Sequence, residues 1–220
     1  MTVHGAITAH GTVEAPIILE GLPDKNGERS SWPGIVVMRA EQISEWSHVS
    51  VRNTAGILTS GWGLTGGVTF YRSDVNMMHC IFSGNWAEDA LNIIHSKFEL
   101  RDTSILNTAS DGFDVDFSTG IVVGGLFQNL GQLGGGDGID ISGSTITVEG
   151  TIFRHISDKA LSVGEQSHMT ARNVTIEDAV SGAVSKDNST LYLYDSTFIN
   201  SRLAAIMAYV KKPEFGPSSI

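Results

Sequence analysis

The chain is poor in the residues that cross-link or punctuate a fold. Cys80 is its only cysteine, so no internal disulfide can form. A buried apolar role is the expected use of such a lone thiol. Prolines number 5 against 25 glycines, a balance that suits many tight corners rather than disorder. Basic residues are scarce too: 14 Lys and Arg face 24 Asp and Glu, for a net charge of −10. That disfavours nucleic acid or an anionic membrane as main partner, because both need basic patches. No apolar run approaches the roughly 18 residues that span a bilayer. Met1-Thr2-Val3-His4 lacks the charged and apolar regions of a signal peptide. A 3.6-residue period is missing as well, so no helix is expected.

What the chain has instead is one phrase, repeated. Glu88-Asp89-Ala90-Leu91-Asn92-Ile93, Asp111-Gly112-Phe113-Asp114-Val115-Asp116-Phe117 and Asp137-Gly138-Ile139-Asp140-Ile141 each set an acid before a small residue and an alternating run. Alternation places Leu91/Ile93, Phe113/Val115/Phe117 and Ile139/Ile141 on one face of a strand. Asn92, Asp114/Asp116 and Asp140 fall on the other. Weaker copies surround them, with small residues at 34, 67, 90, 112, 138, 160, 182 and 205, so most steps are 22 or 23 residues. A strand phrase at that period marks a solenoid. Second strands follow at 75–79, 97–101, 145–149 and 190–194, and a third apolar clip closes each repeat, as at Ile81-Phe82, Ile105-Leu106 and Ile152-Phe153. Three short strands cannot bury both faces as a flat meander. Coiling them, each paired in parallel with its counterpart one turn on, stacks like residues in apolar columns inside. A polar residue generally follows the clip (Asn85, Asn107, Asn129, His155, Asp178, Asn200), and these are expected to form a hydrogen-bonded ladder at an inner corner.

The Gly5-to-Glu20 opening, the Trp32-Pro33-Gly34-Ile35-Val36 coil start and the Asp-Gly-Ile-Asp-Ile rungs resemble right-handed parallel β-helix proteins of the pectate-lyase-like superfamily. The likeness is greatest to the repeat-rich β-helix regions of large bacterial secreted or surface proteins. It implies an all-β, right-handed, single-stranded parallel β-helix of about eight coils occupying residues 1–220 as a single domain. It also implies an extracellular or cell-surface location. Neither end shows an amphipathic cap, so the sequence is read as an excerpt of a longer chain with flanking domains. Such a scaffold specifies fold strongly and activity weakly.

Chemistry, if any, should concentrate on the acids. In a coil, outward residues of successive rungs stack at about 4.8 Å, which puts Asn92, Asp114 and Asp140 in one column. Asp89, Asp111 and Asp137 form a second at the preceding corner, with Glu88 and Asp116 flanking and Asp158 beginning the next rung. Carboxylates so close repel, so one pKa rises or a cation is held between them. A raised pKa supplies a general acid beside an ionised base, as inverting glycosidases use. The oxygen-rich set Asp89, Asp111, Asp114, Asp116, Asp137 and Asp140 suits Ca²⁺, which would bridge to an acidic polysaccharide. The structural alternative is that the corner acids cap turns and the outward ones are merely solvated.

Trp32, Trp62 and Trp86 precede the first strand of consecutive coils, hence stand near one corner. Two insertions, at 56–66 and 131–136, lengthen steps to 33 and 26 residues. Loops projecting from a rigid stack commonly form groove walls. The indoles therefore either offer flat faces to a sugar, with Asn92 beside them, or pack over the corner.

The arginine setting of pectate lyases and the Asn-Thr-Asp, paired-Asp, Gly-His-Gly and Arg-Ile-Lys patterns of polygalacturonase-like hydrolases are absent. Lys159 is either a lyase base or a corner cation pairing Asp137 or Asp158. His79, His95 and His155 are spread over different strands and do not form a Zn set. The leading reading is an extracellular β-helix module, structural or polysaccharide-binding, with an acidic, Ca²⁺-capable face. One alternative is a lyase or hydrolase of acidic polysaccharide using Asp114 and Asp140 with Asp111, Asp137 or Lys159. The other is a rigid spacer in a surface protein.

Overall fold

A computed structural model describes residues 1–220 apart from 24, 28, 29, 60 and 61, and apart from the side chains of residues 58, 59 and 62. The chain winds as an all-β parallel solenoid with three faces. The first face carries Ile35–Met38, Gly66–Tyr71, Asp89–Ile94, Asp111–Asp116 and Ile139–Ser142 in succession. The second is an 8-stranded sheet running from Thr8–His10 to Thr190–Tyr194, and the third includes Val49–Arg52, Ile81–Ser83, Ser104–Leu106 and Leu126–Leu130. Two long strands, Ile152–Gly164 and Thr175–Lys186, bend from the third face onto the first without a break, with a register shift at the bend. About six turns, from Ile35 to Lys186, stack tightly around a continuous core.

Register makes the core. Val68, Leu91, Phe113, Ile139, Leu161 and Ala183 are successive cross-strand partners, each fully buried. A parallel column on the third face runs Phe82, Ile105, Phe127, Phe153, Ile176, with the rings of Phe127 and Phe153 5.1 Å apart. Large residues stack on large because each winds back to the same place one period later. The small residue of each phrase has a steric cause. A Cβ on Gly112 would stand 2.7 Å from Leu130 Cδ1 and 2.8 Å from the Gly138 carbonyl oxygen, where the third face turns into the first.

The inner ladder is made of serine, not asparagine. Between the first and second faces each backbone N–H donates to the serine hydroxyl one turn on: Ser73 to Ser96 (2.8 Å), Ser96 to Ser118 (3.0 Å), Ser118 to Ser144 (2.9 Å), Ser144 to Ser167 (3.0 Å) and Ser167 to Ser189 (3.1 Å). All six serines are buried. Of the residues expected inside, Asn85 is buried and accepts from Thr54 Oγ1 at 2.6 Å, whereas Asn107, Asn129, His155, Asp178 and Asn200 have positive φ of 53–58° and point outward. Left-handed backbone tolerates Asn and Asp best, and it turns their side chains away from the core. They still pair along the axis, Asn129 to Asn107 at 2.9 Å and Asn200 to Asp178 at 3.1 Å. Cys80 is buried, as a lone apolar thiol should be, and burial pushes its pKa up.

Candidate functional site

The acid-bearing phrases lie on adjacent strands of the first face, in the register their spacing requires. Asn92 pairs with Asp114, and Asp114 with Asp140. The column continues to Thr69 on one side and Ser162 on the other. Asp89 pairs with Asp111 in the corner column. Asp137 follows in the same column, because its N–H donates to Asp111 Oδ1 at 2.8 Å. Its own Oδ1 accepts the Lys159 N–H at 2.9 Å. These corner carboxylates cap the backbone of the next rung, as turn acids do, and also face their neighbours.

The columns converge because each phrase bends. Asn92 Nδ2 donates to Asp114 Oδ2 at 2.8 Å and to Asp89 Oδ2 at 3.3 Å. One amide thus ties both columns together. Asp89 and Asp137 are only 2% and 4% exposed, whereas Asp111, Asp114, Asp116 and Asp140 are half-buried. Burial therefore dominates their ionisation. It lifts Asp89 to about 7, helped by Glu88 and Asp116 and opposed by hydrogen bonds from Thr65 and Asn92. Asp111 also rises to about 7, chiefly through burial, against the Asp137 N–H bond that stabilises its anion. Asp114 is pushed well above the ordinary range by burial and by Asp89, Asp116 and Asp140. Asp116 is raised, mainly by burial. Asp137 reaches about 6 through burial and Asp140, with Lys159 restraining it.

Two lysines hold the lower end. Lys159 Nζ lies 3.2 Å from Asp137 Oδ1 and also contacts Asp158. Burial disfavours its charge, but the two carboxylates outweigh that and hold its pKa above normal. Of its two sequence readings, this geometry is the corner cation. Lys186, which the sequence reading missed, is 5% exposed. Its Nζ donates to Ser162 Oγ at 2.8 Å and reaches Asp140 Oδ1 at 3.5 Å. The stem crosses Gly164, where a Cβ would stand 2.6 Å from Lys186 Cε. A glycine at an outward strand position, one period before a lysine, was the available signal. Beyond it Lys212 pairs with Glu165, lowering the Glu165 pKa against the effect of burial.

At the opposite end two buried oxygens have no partner among the described residues: Thr69 Oγ1 and Asn92 Oδ1, on residues 0% and 1% exposed. Among the described residues no group of three or more His, Cys, Asp or Glu side chains is placed to hold a metal ion. Any cation would have to draw on Asn, Thr and backbone oxygens as well as the acids.

The tryptophans part company. Trp32 donates its indole N–H to the Arg52 carbonyl at 2.7 Å and packs against the core, so it closes the corner. Trp86 is 63% exposed. It stands between a cleft of about 390 Å³ lined by Ile57, Leu64, Ala87 and Glu88 and one of about 200 Å³ lined by Asn107, Gln132 and Leu133. The backbone of Trp62 lies in an antiparallel hairpin, Ile57–Thr59 with Trp62–Leu64, while its side chain falls outside the described residues. The corner position between Trp32 and Trp86 is taken by Thr54: Trp32 bridges to it, and Trp86 N–H donates to its carbonyl. The insertion folds on itself, so the backbone of Trp62 does not continue the corner that Trp32 and Trp86 share through Thr54. His95 stacks on Phe117 at 5.0 Å, and His79 on His48 at 4.9 Å. His155 meets Asp178 at 3.4 Å. They decorate separate corners.

No protein-family model matches the chain, and no curated protein does. Among solved structures it is similar to the catalytic domain of a GH87 alpha-1,3-glucanase in complex with tetrasaccharides, with 10% identity and a TM-score of 0.41. That alignment covers 100% of this chain and 61% of that one, so the chain spans less than two thirds of its length. It is also similar to an alginate lyase from Paenibacillus sp. str. FPU-7, with 14% identity, a TM-score of 0.33, and 86% and 91% of the two chains covered.

Proposed function

We propose that the chain is an extracellular, glycan-binding module: one right-handed parallel β-helix of eight coils whose acidic first face takes a polysaccharide. The handedness accords with the general preference for right-handed crossovers between parallel strands. One observation carries the reading. The half-buried carboxylates of Asp114 and Asp140 are aligned with Asn92 on adjacent strands, and the exposed Trp86 stands three residues before Asp89, the corner acid of the same phrase. Carboxyl and amide groups hydrogen-bond vicinal hydroxyls, and an indole covers the apolar face of a pyranose. Calcium competes for the same oxygens in this reading, since Lys159 and Lys186 already neutralise the lower end. The test is calorimetric titration with a panel of neutral, acidic and amine-bearing oligosaccharides, with and without Ca²⁺. Saturable binding abolished by Trp86→Ala and weakened by Asp114→Asn supports the assignment. No binding across the panel sinks it.

The raised carboxyls favour a second reading, hydrolysis. Asp114, one rung from Asp140, pairs a general acid with a carboxylate placed to act as nucleophile. Adjacent rungs are about 4.8 Å apart, close to the roughly 5–5.5 Å of retaining glycosidases and short of the inverting separation. Retention at the anomeric centre is the outcome expected of that pair. Reducing-end release that survives Asp114→Asn combined with Asp140→Asn would rule it out.

A further inference from the structure

We propose that the sugar taken by the acidic face carries free amines, so that the ligand is a cationic, amino-sugar polymer. This rests on the glycan-binding reading and names its substrate class. Charge comes first. Asp89, Asp111, Asp114 and Asp116 occupy the upper half of the face, and the two lysines nearby are already engaged lower down. Lys159 is held by Asp137 and Asp158, and Lys186 by Ser162 and Asp140. An acidic polysaccharide brought to this surface meets a row of carboxyl groups whose two neighbouring lysines are already engaged. A neutral one leaves the carboxylates as they were. A primary ammonium supplies both the missing charge and three N–H donors.

The second observation is independent of the acids. Thr69 and Asn92 are cross-strand partners at the head of the Asp114 column. Thr69 Oγ1 and Asn92 Oδ1 are both buried without a partner among the described residues. Unpaired buried oxygens are costly, typically about 1–3 kcal/mol each, and rare in folded proteins. Here they stand beside Asp89 and Asp114, in a set of oxygens short of donors. Asn92 gives both its amide hydrogens' direction to carboxylates, Asp114 Oδ2 and Asp89 Oδ2. An ammonium at Asp114 takes over that donation and frees the Asn92 amide to turn, so that its oxygen accepts from the same ligand. Trp86, exposed three residues before Asp89 in the same phrase, then offers a ring that attracts a cation.

The experiment uses three oligomer sets of equal length: glucosamine, N-acetylglucosamine and galacturonate, titrated into the whole chain at pH 6 by calorimetry. At that pH the free amines are protonated. Glucosamine oligomers are expected to bind about tenfold or more tighter than the acetylated ones, with affinity falling as salt rises. Protons should be released on binding, as the ammonium draws neutral carboxyls into their ionised form. Asp114→Asn should weaken binding of both the free and the acetylated oligomers and remove the difference between them, and Trp86→Ala should abolish both. The salt and proton dependence of the unaltered protein gives the answer even if a variant fails to fold. Equal affinity for free and acetylated amines overturns the inference and leaves glycan binding standing, as does preference for galacturonate. Absence of binding to all three sets overturns both.

Discussion

Replacing Asp89 by Asn isolates the electrostatic cost stored in the acidic face. Asp89 is 2% exposed, and its carboxyl titrates near 7 instead of 3.8, first because of burial. Between those two values the folded protein keeps a proton that the unfolded chain has lost. Stability therefore falls as pH rises, by about 1.4 kcal/mol per pH unit for this one group. Across the whole window the upper bound is about 4 kcal/mol, and relaxation or water entry lowers it to roughly 2–4 kcal/mol. Asparagine copies the shape of the neutral acid. Its oxygen can still accept from Asn92 Nδ2, now 3.3 Å from Asp89 Oδ2, and its amide replaces the acid proton.

The variant should match the parent at pH 4 and exceed it increasingly up to pH 8. Urea unfolding followed by tryptophan fluorescence reports this directly, because Trp46 is buried in the core. Stacked repeats can lose two-state cooperativity, so slopes as well as midpoints must be compared. A gap between variant and parent that stays flat from pH 4 to pH 8, or narrows, refutes the reasoning. Asp111→Asn should behave alike, since Asp111 also titrates near 7.

Other substitutions test other parts of the molecule. Ser118→Ala removes the acceptor of the Ser96 N–H and the hydroxyl bound to the Asp116 carbonyl. It should cost about 1–3 kcal/mol in urea unfolding, because a buried donor loses its partner. Phe127→Ala opens the aromatic column between Ile105 and Phe153 and should cost about 3–5 kcal/mol. Lys186→Met leaves Asp140 without its cation. Asp140 is a quarter exposed, so a loss of about 3 kcal/mol, the low end for a broken buried pair, is expected in urea unfolding at pH 8. Trp86→Ala should change stability by less than about 0.5 kcal/mol, since the ring is exposed; a larger loss would mean that the indole holds the corner.

Much of this architecture was legible because a coil converts period into position. Once the phrase repeats every 22 or 23 residues, Asn92, Asp114 and Asp140 must align if the rungs pair in register, and they do. The insertion at 131–136 lengthens one step, yet Asp111 and Asp137 stay in one column, because the added residues loop out at the corner. The insertion at 56–66 defeated the same logic. Part of it forms a hairpin with its own pairing, so counting residues from Trp62 to its neighbours says nothing about where the ring lies.

The errors at the corners share one physical origin. Period tells which residues share a column and leaves open whether that column points in or out. Asparagines are expected inside because amide ladders satisfy buried backbone. At Asn107, Asn129 and Asn200 the left-handed φ that Asn adopts so readily carries the side chain outside instead, whereas Asn85, without that φ, is buried. Serine fits the inner corner because its short hydroxyl can accept the N–H one turn back while donating to its own turn, as Ser118 accepts from Ser96 and donates to the Asp116 carbonyl at 2.8 Å. Lys186 shows a further limit. Its backbone lies on the last tightly stacked rung, but its stem runs along the axis over Gly164 to reach a carboxylate two rungs away. A long side chain on a solenoid can leave its own rung, so columns of identity and columns of charge need not coincide. Gly164→Ala tests this directly. The added methyl would stand 2.6 Å from Lys186 Cε and should displace the ammonium from Asp140. Stability at pH 8 should then fall toward that of Lys186→Met, although every charged residue is still present. If the alanine variant keeps full stability, the lysine does not depend on the glycine's open space.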